Sequence, residues 1–165
     1  MIFFPKLYVK NFKAVPYDVL WERGIYLLVF DIDNTLAVFT EKVPSSETIS
    51  FFEGLKSKGF SVALLSNNSK ERVEEFNEAL GLLAIAKARK PKRGGIKKIL
   101  KHFDAKPHET AIIGDQIFTD IWCGNRAGVY TVLTKPLAKI DEFTVKLKRF
   151  PEKAVLKLIE KKYKK

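Results

Sequence analysis

The sequence lacks the features that mark several common classes of protein. It has one cysteine, Cys123, so no disulfide can form within the chain and a reducing compartment suits it. No apolar run approaches the roughly 20 residues that cross a bilayer. Lys6 interrupts the apolar start too early for a signal peptide. Zinc-finger, RNP-type and glycine-rich phosphate-loop patterns are also absent. We therefore expect a cytoplasmic protein, with a peripheral position at a membrane surface left open.

Basic residues are abundant instead, and they are unevenly distributed. The net charge is +11, with nine bases and one acid in residues 87–106 and eleven bases and four acids in residues 135–165. Such clusters favour an anionic partner, either nucleic acid or acidic lipid head groups. A solvated, lysine-rich surface is the simpler alternative. The length of 165 residues and the 46% hydrophobic content predict a single folded domain over residues 1–165.

Apolar runs of strand length alternate with segments of helical period. We predict strands at Ile25–Phe30, Phe60–Leu65, Leu83–Ala86, Thr110–Ile113 and Tyr130–Leu133, and helices at Glu47–Lys58, Lys70–Leu80, Gly95–Phe103 and Ile117–Ala127. This alternation predicts an α/β fold with a parallel sheet and helices on both faces. Residues 1–24 form an N-terminal extension, and residues 137–165 form a basic helical tail in which a new helix begins near Pro151.

Acidic and hydroxyl side chains follow three of the predicted strands. Asp31, Ser66 and Asp115 each come directly after or one residue beyond a strand, and parallel sheets bind ligands beyond these carboxyl ends. Asp31 and Asp33 are two residues apart at the end of a buried strand, where carboxylates are costly unless solvated, paired or bound to metal. With Asp115 as a third oxygen donor, these acids suit Mg²⁺.

The same edge of the sheet offers groups that bind phosphate. Ser66 and the amides of Asn67 and Asn68 can donate to phosphate oxygens, and Lys90 adds a positive charge. Phosphoryl transfer requires such donors together with a nucleophile and a metal. Taken singly, Asp-x-Asp arises by chance, Ser-Asn-Asn is an ordinary turn and Lys90 is a loop lysine. Their order along the chain, each near a strand end, is far less accidental.

The order and spacing of these residues resemble the sequence motifs of a known superfamily. Asp31-Ile32-Asp33-Asn34-Thr35, Ser66, Lys90, and Gly114-Asp115 with Asp120 are similar to the four motifs of the haloacid dehalogenase (HAD) superfamily. From about Pro5 to Pro136 the chain resembles more closely the YqeG-like HAD phosphatases, which are relatives of the mitochondrial phosphatidylglycerophosphate phosphatases. This closer resemblance is carried by Gly24-Ile25, Phe30–Leu36, Ser66-Asn67-Asn68, Arg72-Val73, Ala88–Pro91, Gly114–Gln116, Thr119-Asp120 and Gly124–Gly128.

The resemblance implies a Rossmann-like HAD fold and a covalent mechanism. Asp31 would attack phosphorus and form an aspartyl-phosphate. Asp33 would protonate the leaving oxygen and then deprotonate the hydrolytic water. Mg²⁺ would be held by the side chains of Asp31 and Asp115 and by the backbone carbonyl of Asp33.

The resemblance also implies roles for the remaining residues of these motifs. Ser66, Asn67 and Lys90 would bind the phosphoryl group. Asp120 would support the metal waters or orient Lys90, and Thr35 would stabilise the loop after Asp31 by hydrogen bonding.

Many HAD enzymes carry a cap domain, and this chain has no room for one. Thirty residues separate Thr35 from Ser66 and 23 separate Ser66 from Lys90, and predicted helices and strands occupy both intervals. An open site suits a phosphate on a large substrate, such as a lipid, a nucleic-acid end or a protein.

Phosphatidylglycerophosphate is the leading substrate by family resemblance. Aromatic residues and lysines mix in residues 3–17, and one face of the last helix is apolar, as is typical of segments at a membrane interface; alternatively, both segments pack on the domain. The aromatic residues are Phe3, Phe4, Tyr8, Phe12 and Tyr17, and the apolar helix face carries Ala154, Val155, Leu158 and Ile159.

Two rival functions remain at this point. One is a phosphatase or binder of nucleic acid or another macromolecular phosphate that uses the basic stretch Lys87–Lys106. The other is a non-enzymatic switch phosphorylated on Asp31, which an acid–base carboxylate at Asp33 argues against because that group would speed loss of the phosphate.

Overall fold

The computed structural model describes residues 2–138 and 154–163. Six parallel strands form one sheet in the order β1-β6-β5-β2-β3-β4. The strands are β1 (Leu7–Val9), β2 (Leu27–Phe30), β3 (Ser61–Leu65), β4 (Leu83–Ile85), β5 (Thr110–Gly114) and β6 (Tyr130–Thr134). Strand β2 lies between β3 and β5, and all four of its residues are buried. The carboxyl ends of β5, β2 and β3 therefore lie side by side.

Helices cover both faces of the sheet. They are α1 (Tyr17–Glu22), α2 (Ser46–Ser57), α3 (Lys70–Asn77), α4 (Gly94–His102), α5 (Trp122–Ala127) and α6 (residues 154–163). Alternate residues of β2 face opposite sides. Leu28 and Phe30 join the apolar cluster under α1, α2 and α3, whereas Leu27 and Val29 join the cluster under α4 and α5. The predicted α/β fold with a parallel sheet and helices on both faces is confirmed.

The ends of two predicted helices differ from the structure. Helix α3 ends at Asn77 and not at Leu80, because the Asn77 amide donates to the Leu82 carbonyl (2.7 Å) and accepts from its N–H (3.1 Å), which turns the chain. The helix predicted from Ile117 begins as a π-helical turn, Ile117–Ile121, before α5. Turns of this kind often occur at functional sites.

The N-terminal extension contributes to the sheet, which the sequence analysis did not predict. Strand β1 pairs with β6, and its three residues are too few to show a strand period. Phe12 and Tyr17 are buried, and the Tyr17 hydroxyl donates to the Phe12 carbonyl at 2.6 Å. For these two aromatic residues the packing alternative is correct, because they lie in the main core.

The last helix packs against the N-terminal segment. Ile159 is fully buried, and the Tyr163 hydroxyl donates to the Pro5 carbonyl at 2.9 Å. Phe3 and Tyr8 make edge-to-face aromatic contacts in the same cluster. For Ile159, Phe3 and Tyr8 the packing alternative is therefore correct. Leu158 on α6, by contrast, is 59% exposed. The predicted break at Pro151 lies outside the described residues.

The described connections at the carboxyl edge carry no additional domain. Within the described ranges no cap domain is inserted between Thr35 and Ser66 or between Ser66 and Lys90, as predicted. In the same part of the chain, none of the helices is both long and apolar enough to span a membrane.

Candidate active site

Three strands deliver polar side chains to one edge of the sheet. Asp31 follows β2, Ser66 follows β3 and Asp115 follows β5, and all three are buried. Two backbone hydrogen bonds fix the first positions beyond the strands, from the Asp31 N–H to the Ile113 carbonyl (2.9 Å) and from the Ser66 N–H to the Ile85 carbonyl (3.0 Å). The predicted convergence of these residues at the carboxyl edge is thus present.

Lys90 lies between two carboxylates of this edge. Its Nζ donates to Asp31 Oδ1 and to Asp120 Oδ1, each at 2.6 Å, and the side chain is only 2% exposed. The loop that carries Lys90 is held by Asn67, whose Oδ1 accepts from the Lys90 N–H (2.6 Å) and whose Nδ2 donates to the Lys90 carbonyl (3.1 Å). The Asn67 side chain therefore positions the lysine loop, and binding of phosphate by Asn67 remains a prediction.

Asp120 reaches the site because the sheet leaves room for it. The residue is fully buried in the π-helical turn, and its Oδ2 accepts from the Gln116 N–H at 3.1 Å. A Cβ atom at Gly114 would overlap the Asp120 carboxylate. Gly114 thus leaves space for the Asp120 carboxylate, and Asp115 supplies a further carboxylate at the same edge.

Three carboxylates form a compact acidic group. Oxygens of Asp31, Asp115 and Asp120 all lie within 4.8 Å of one another, and each residue is buried. Buried acids this close together need compensation by cations or protons, and Lys90 provides it by contacting Asp31 and Asp120. An all-oxygen donor set of three buried carboxylates fits a hard divalent cation such as Mg²⁺. Asp120 belongs to this group by distance and contacts Lys90, and its role in supporting the metal waters or orienting Lys90 stays a prediction.

Burial and neighbouring charges change the protonation of the two central groups. Burial raises the pKa of Asp31 to about 7, the Lys90 ammonium opposes that rise, and the Asp120 carboxylate adds to it. Burial alone would lower the pKa of Lys90, but the carboxylates of Asp120 and Asp31 outweigh it and raise that pKa above its ordinary value. Lys90 is therefore a permanent cation in this site.

Asp33 is held by two residues that the sequence analysis did not assign to it. Arg72 Nη2 donates to Asp33 Oδ1 at 3.0 Å, and Asn68 Nδ2 donates to Asp33 Oδ2 at 3.0 Å. Asn68 was expected to donate to phosphate, and Arg72 was noted only as part of the family resemblance. Their position on the segment after Ser66 is the one signal that sequence alone provided.

The two hydroxyl residues are buried in the loops around the acids. Ser66 Oγ accepts from the Asn68 N–H at 3.1 Å. The Thr35 N–H donates to the Ile32 carbonyl at 3.2 Å and closes the turn in which Asn34 adopts a φ of 63°. The Thr35 hydroxyl has no hydrogen-bond partner among the residues that the structure describes. Thr35 therefore stabilises the loop through its backbone.

Comparison with known proteins places the chain in a family. The family model described as mitochondrial PGP phosphatase matches residues 1–138. The chain belongs to this family. As a member of this family, the protein is a phosphatase.

Individual relatives and structures agree with this assignment. The chain is 34% identical to the "Probable phosphatase YqeG" of Bacillus subtilis, over 97% of this chain and 93% of that protein. It is 31% identical to "Phosphatidylglycerophosphate phosphatase 1, chloroplastic/mitochondrial" of Arabidopsis thaliana, over 93% of this chain but only 47% of that longer protein. The cobalt-bound deoxy-D-mannose-octulosonate 8-phosphate phosphatase of Haemophilus influenzae shares the fold, with a TM-score of 0.52 and 16% identity over 69% of this chain and 80% of that one.

Proposed function

We propose that this family member hydrolyses phosphomonoesters with Mg²⁺ through an aspartyl-phosphate on Asp31. The arrangement that carries the proposal is Lys90 bonded to both Asp31 and Asp120 beside a third buried carboxylate. A permanent cation next to the nucleophile can attract the phosphate and neutralise charge as it develops. Mg²⁺, held by Asp31, Asp115 and the backbone carbonyl of Asp33, would neutralise further charge on the phosphoryl oxygens.

The residues of the chain then divide the reaction into two displacements. An Asp31 oxygen bonds to phosphorus while the bond to the leaving oxygen breaks, and Asp33 gives that oxygen a proton. Ser66 and Lys90 bind the phosphoryl oxygens. Asp33 next accepts a proton from water, whose oxygen attacks phosphorus and releases Asp31.

We further propose that the substrate is a lipid phosphate, phosphatidylglycerophosphate, taken from a membrane surface. The name of the Arabidopsis relative supports this substrate class, as does a site with no inserted cap in the described ranges. Exposed apolar side chains lie on loops at the carboxyl edge of the sheet, namely Phe39 (54% exposed), Val43 (61%) and Leu137 (44%). Such side chains can enter the interface of a bilayer.

Charge on the same loops favours an anionic surface. These loops comprise residues 31–45, 66–69, 86–93, 115–116 and 135–138. Glu41 is their one exposed acid, and their six exposed bases are Lys42, Lys87, Arg89, Lys92, Arg93 and Lys135. Each basic residue near an anionic membrane contributes about 1 kcal/mol of attraction. The loops thus combine apolar and basic groups around the site, which favours a membrane over free solution.

A nucleic-acid phosphate is the second candidate, because helix α4 extends the basic surface. Lys97, Lys98 and Lys101 are exposed on α4 and face no acid of the same helix. Nucleic-acid binding would show a steep dependence on salt.

The test is a phosphate-release screen with Mg²⁺ over lipid, nucleotide, nucleic-acid, sugar and peptide phosphates. We expect hydrolysis of phosphatidylglycerophosphate in mixed micelles or vesicles and no turnover of any phosphate by Asp31→Asn. Asp33→Asn should lose hydrolysis of the lipid phosphate, whose alkyl oxygen needs a proton to leave, and should keep a reduced but measurable turnover of aryl phosphates. Turnover by Asp31→Asn would overturn the mechanism. Preference for a nucleic-acid phosphate would overturn the lipid assignment and leave the mechanism standing.

Membrane contact is tested separately by flotation with vesicles of zwitterionic or anionic lipid. Phe39→Ser with Val43→Ser should reduce binding to anionic vesicles but not hydrolysis of a water-soluble phosphomonoester. Tyr26→Ser is the control, because Tyr26 is 43% exposed but lies just before β2, at the opposite edge of the sheet. Equal binding by both proteins would exclude the carboxyl-edge loops as the contact.

A further inference from the structure

Arg72 is fixed in place by groups on several sides. Its N–H donates to the Ser69 hydroxyl that caps α3 (3.2 Å), and its Nη1 donates to the Lys42 carbonyl (2.9 Å). The guanidinium carbon lies 5.3 Å from the ring centre of Phe76, and the side chain is 10% exposed. The remaining terminal nitrogen, Nη2, donates to Asp33. The guanidinium is therefore held independently of the carboxylate that it contacts.

The two oxygens of Asp33 have different partners. Oδ1 accepts from the charged guanidinium of Arg72, and Oδ2 accepts from the neutral amide of Asn68. A hydrogen bond between charged groups is roughly twice as strong as a neutral one. Oδ2 is therefore the oxygen that more readily exchanges its partner for a substrate oxygen.

We infer that Arg72 is the positioning residue for Asp33, which anchors Oδ1 so that Oδ2 carries the transferred proton. The inference rests on the proposed acid–base role of Asp33. Protonated Oδ2 gives its proton to the leaving oxygen, which keeps the electron pair of the broken P–O bond. The resulting carboxylate takes a proton from water at Oδ2 as the water oxygen bonds to phosphorus and Asp31 leaves.

The geometry of Arg72 is not explained by stability alone. Its Nε is buried and has no hydrogen-bond partner among the described residues. A buried donor without a partner is unfavourable, because it loses its hydrogen bonds to water. The guanidinium nevertheless places both terminal nitrogens on the Lys42 carbonyl and on Asp33, as expected where the orientation of Asp33 matters for the reaction.

Leaving-group dependence tests the inference. We would measure kcat/KM for a series of aryl phosphates, from p-nitrophenyl phosphate, whose phenolate leaves without a proton, to phenyl phosphate, whose oxygen needs one. General acid catalysis contributes about 10²–10⁴-fold. Arg72→Met should lose at least about 10-fold more activity on phenyl phosphate than on p-nitrophenyl phosphate, and Arg72→Lys should recover part of that difference.

Matched variants separate positioning from a structural effect. Arg23→Met removes an exposed guanidinium that contacts the Tyr130 hydroxyl and should leave the leaving-group dependence unchanged. Asp33→Asn should steepen it, and adding Arg72→Met to Asp33→Asn should cause little further loss on phenyl phosphate. If Asp33→Asn steepens the leaving-group dependence but Arg72→Met loses the same activity with every leaving group, the inference about Arg72 is wrong and the proposed role of Asp33 stands. A shallow dependence in Asp33→Asn overturns the proposed role of Asp33.

Discussion

The Lys90 ammonium lies 2.6 Å from Asp31 Oδ1, and both side chains are almost completely buried. The same ammonium reaches Asp120 at an equal distance. Lys90 is thus the cation that permits two acids to lie in the interior. The proposed nucleophile depends on this residue for charge compensation as well as for binding phosphate.

Lys90→Met is expected to destabilise the fold. The variant leaves Asp31 and Asp120 buried without their cation, and breaking a buried ion pair in this way costs about 3–5 kcal/mol. Lys58→Met is the matched control, since Lys58 also donates to an acid, Asp18, at 2.7 Å but with both side chains more than half exposed. That pair should contribute less than about 1 kcal/mol. Urea unfolding at neutral pH measures both, and equal effects would contradict the structural role of Lys90.

A single methyl group at Gly114 should displace Asp120. The added Cβ overlaps the Asp120 carboxylate, so Gly114→Ala must move that acid away from Lys90. We expect loss of phosphatase activity together with a lower unfolding temperature. Gly54→Ala tests the same substitution where nothing lies within 4 Å of the new atom, on an exposed position of α2. There alanine should stabilise the protein by about 0.5–1 kcal/mol, and activity should not change. Full activity in Gly114→Ala would show that Asp120 is dispensable.

Sequence patterns predicted the sheet and its polar edge because buried strands and their boundaries are local features. The run around Leu28 is uniformly apolar and ends at Asp31, so both the strand and its terminal acid are visible in the sequence. Strand β1 was missed because three residues between lysines carry no period, and its pairing with β6 bridges more than 120 residues. The contact of Arg72 with Asp33 was also missed, because it depends on how α3 packs beside the loop after β2 and no local pattern indicates that packing.

Stability of the metal-free protein should fall as the pH rises through neutrality. The pKa of Asp31 is about 7 in the folded protein against an ordinary value of 3.8, so the folded state binds this proton more tightly than the unfolded chain. The stability from this proton is present in full below about pH 4 and is lost as the pH rises through about 7. Its size is on the order of a few kcal/mol, since one pKa unit corresponds to about 1.4 kcal/mol.

Comparison with Asp31→Asn isolates that contribution. Urea unfolding in EDTA should show the wild-type protein losing stability relative to the variant between pH 5 and pH 8. A constant difference between the two proteins over that interval would mean that Asp31 ionises near its ordinary value.

Mg²⁺ should raise the unfolding temperature by binding the acidic group. A ligand that binds only the folded state stabilises it by about 2.7 kcal/mol at one hundred times its dissociation constant, which corresponds to several degrees for a chain of this size. Asp115→Asn removes one of three clustered carboxylates and should abolish most of the shift, whereas Asp18→Asn, at an exposed acid, should retain it. Thermal unfolding with and without Mg²⁺ measures this without any substrate. Because the readout is independent of turnover, an equal shift in Asp115→Asn would place the cation elsewhere even if the enzyme were active.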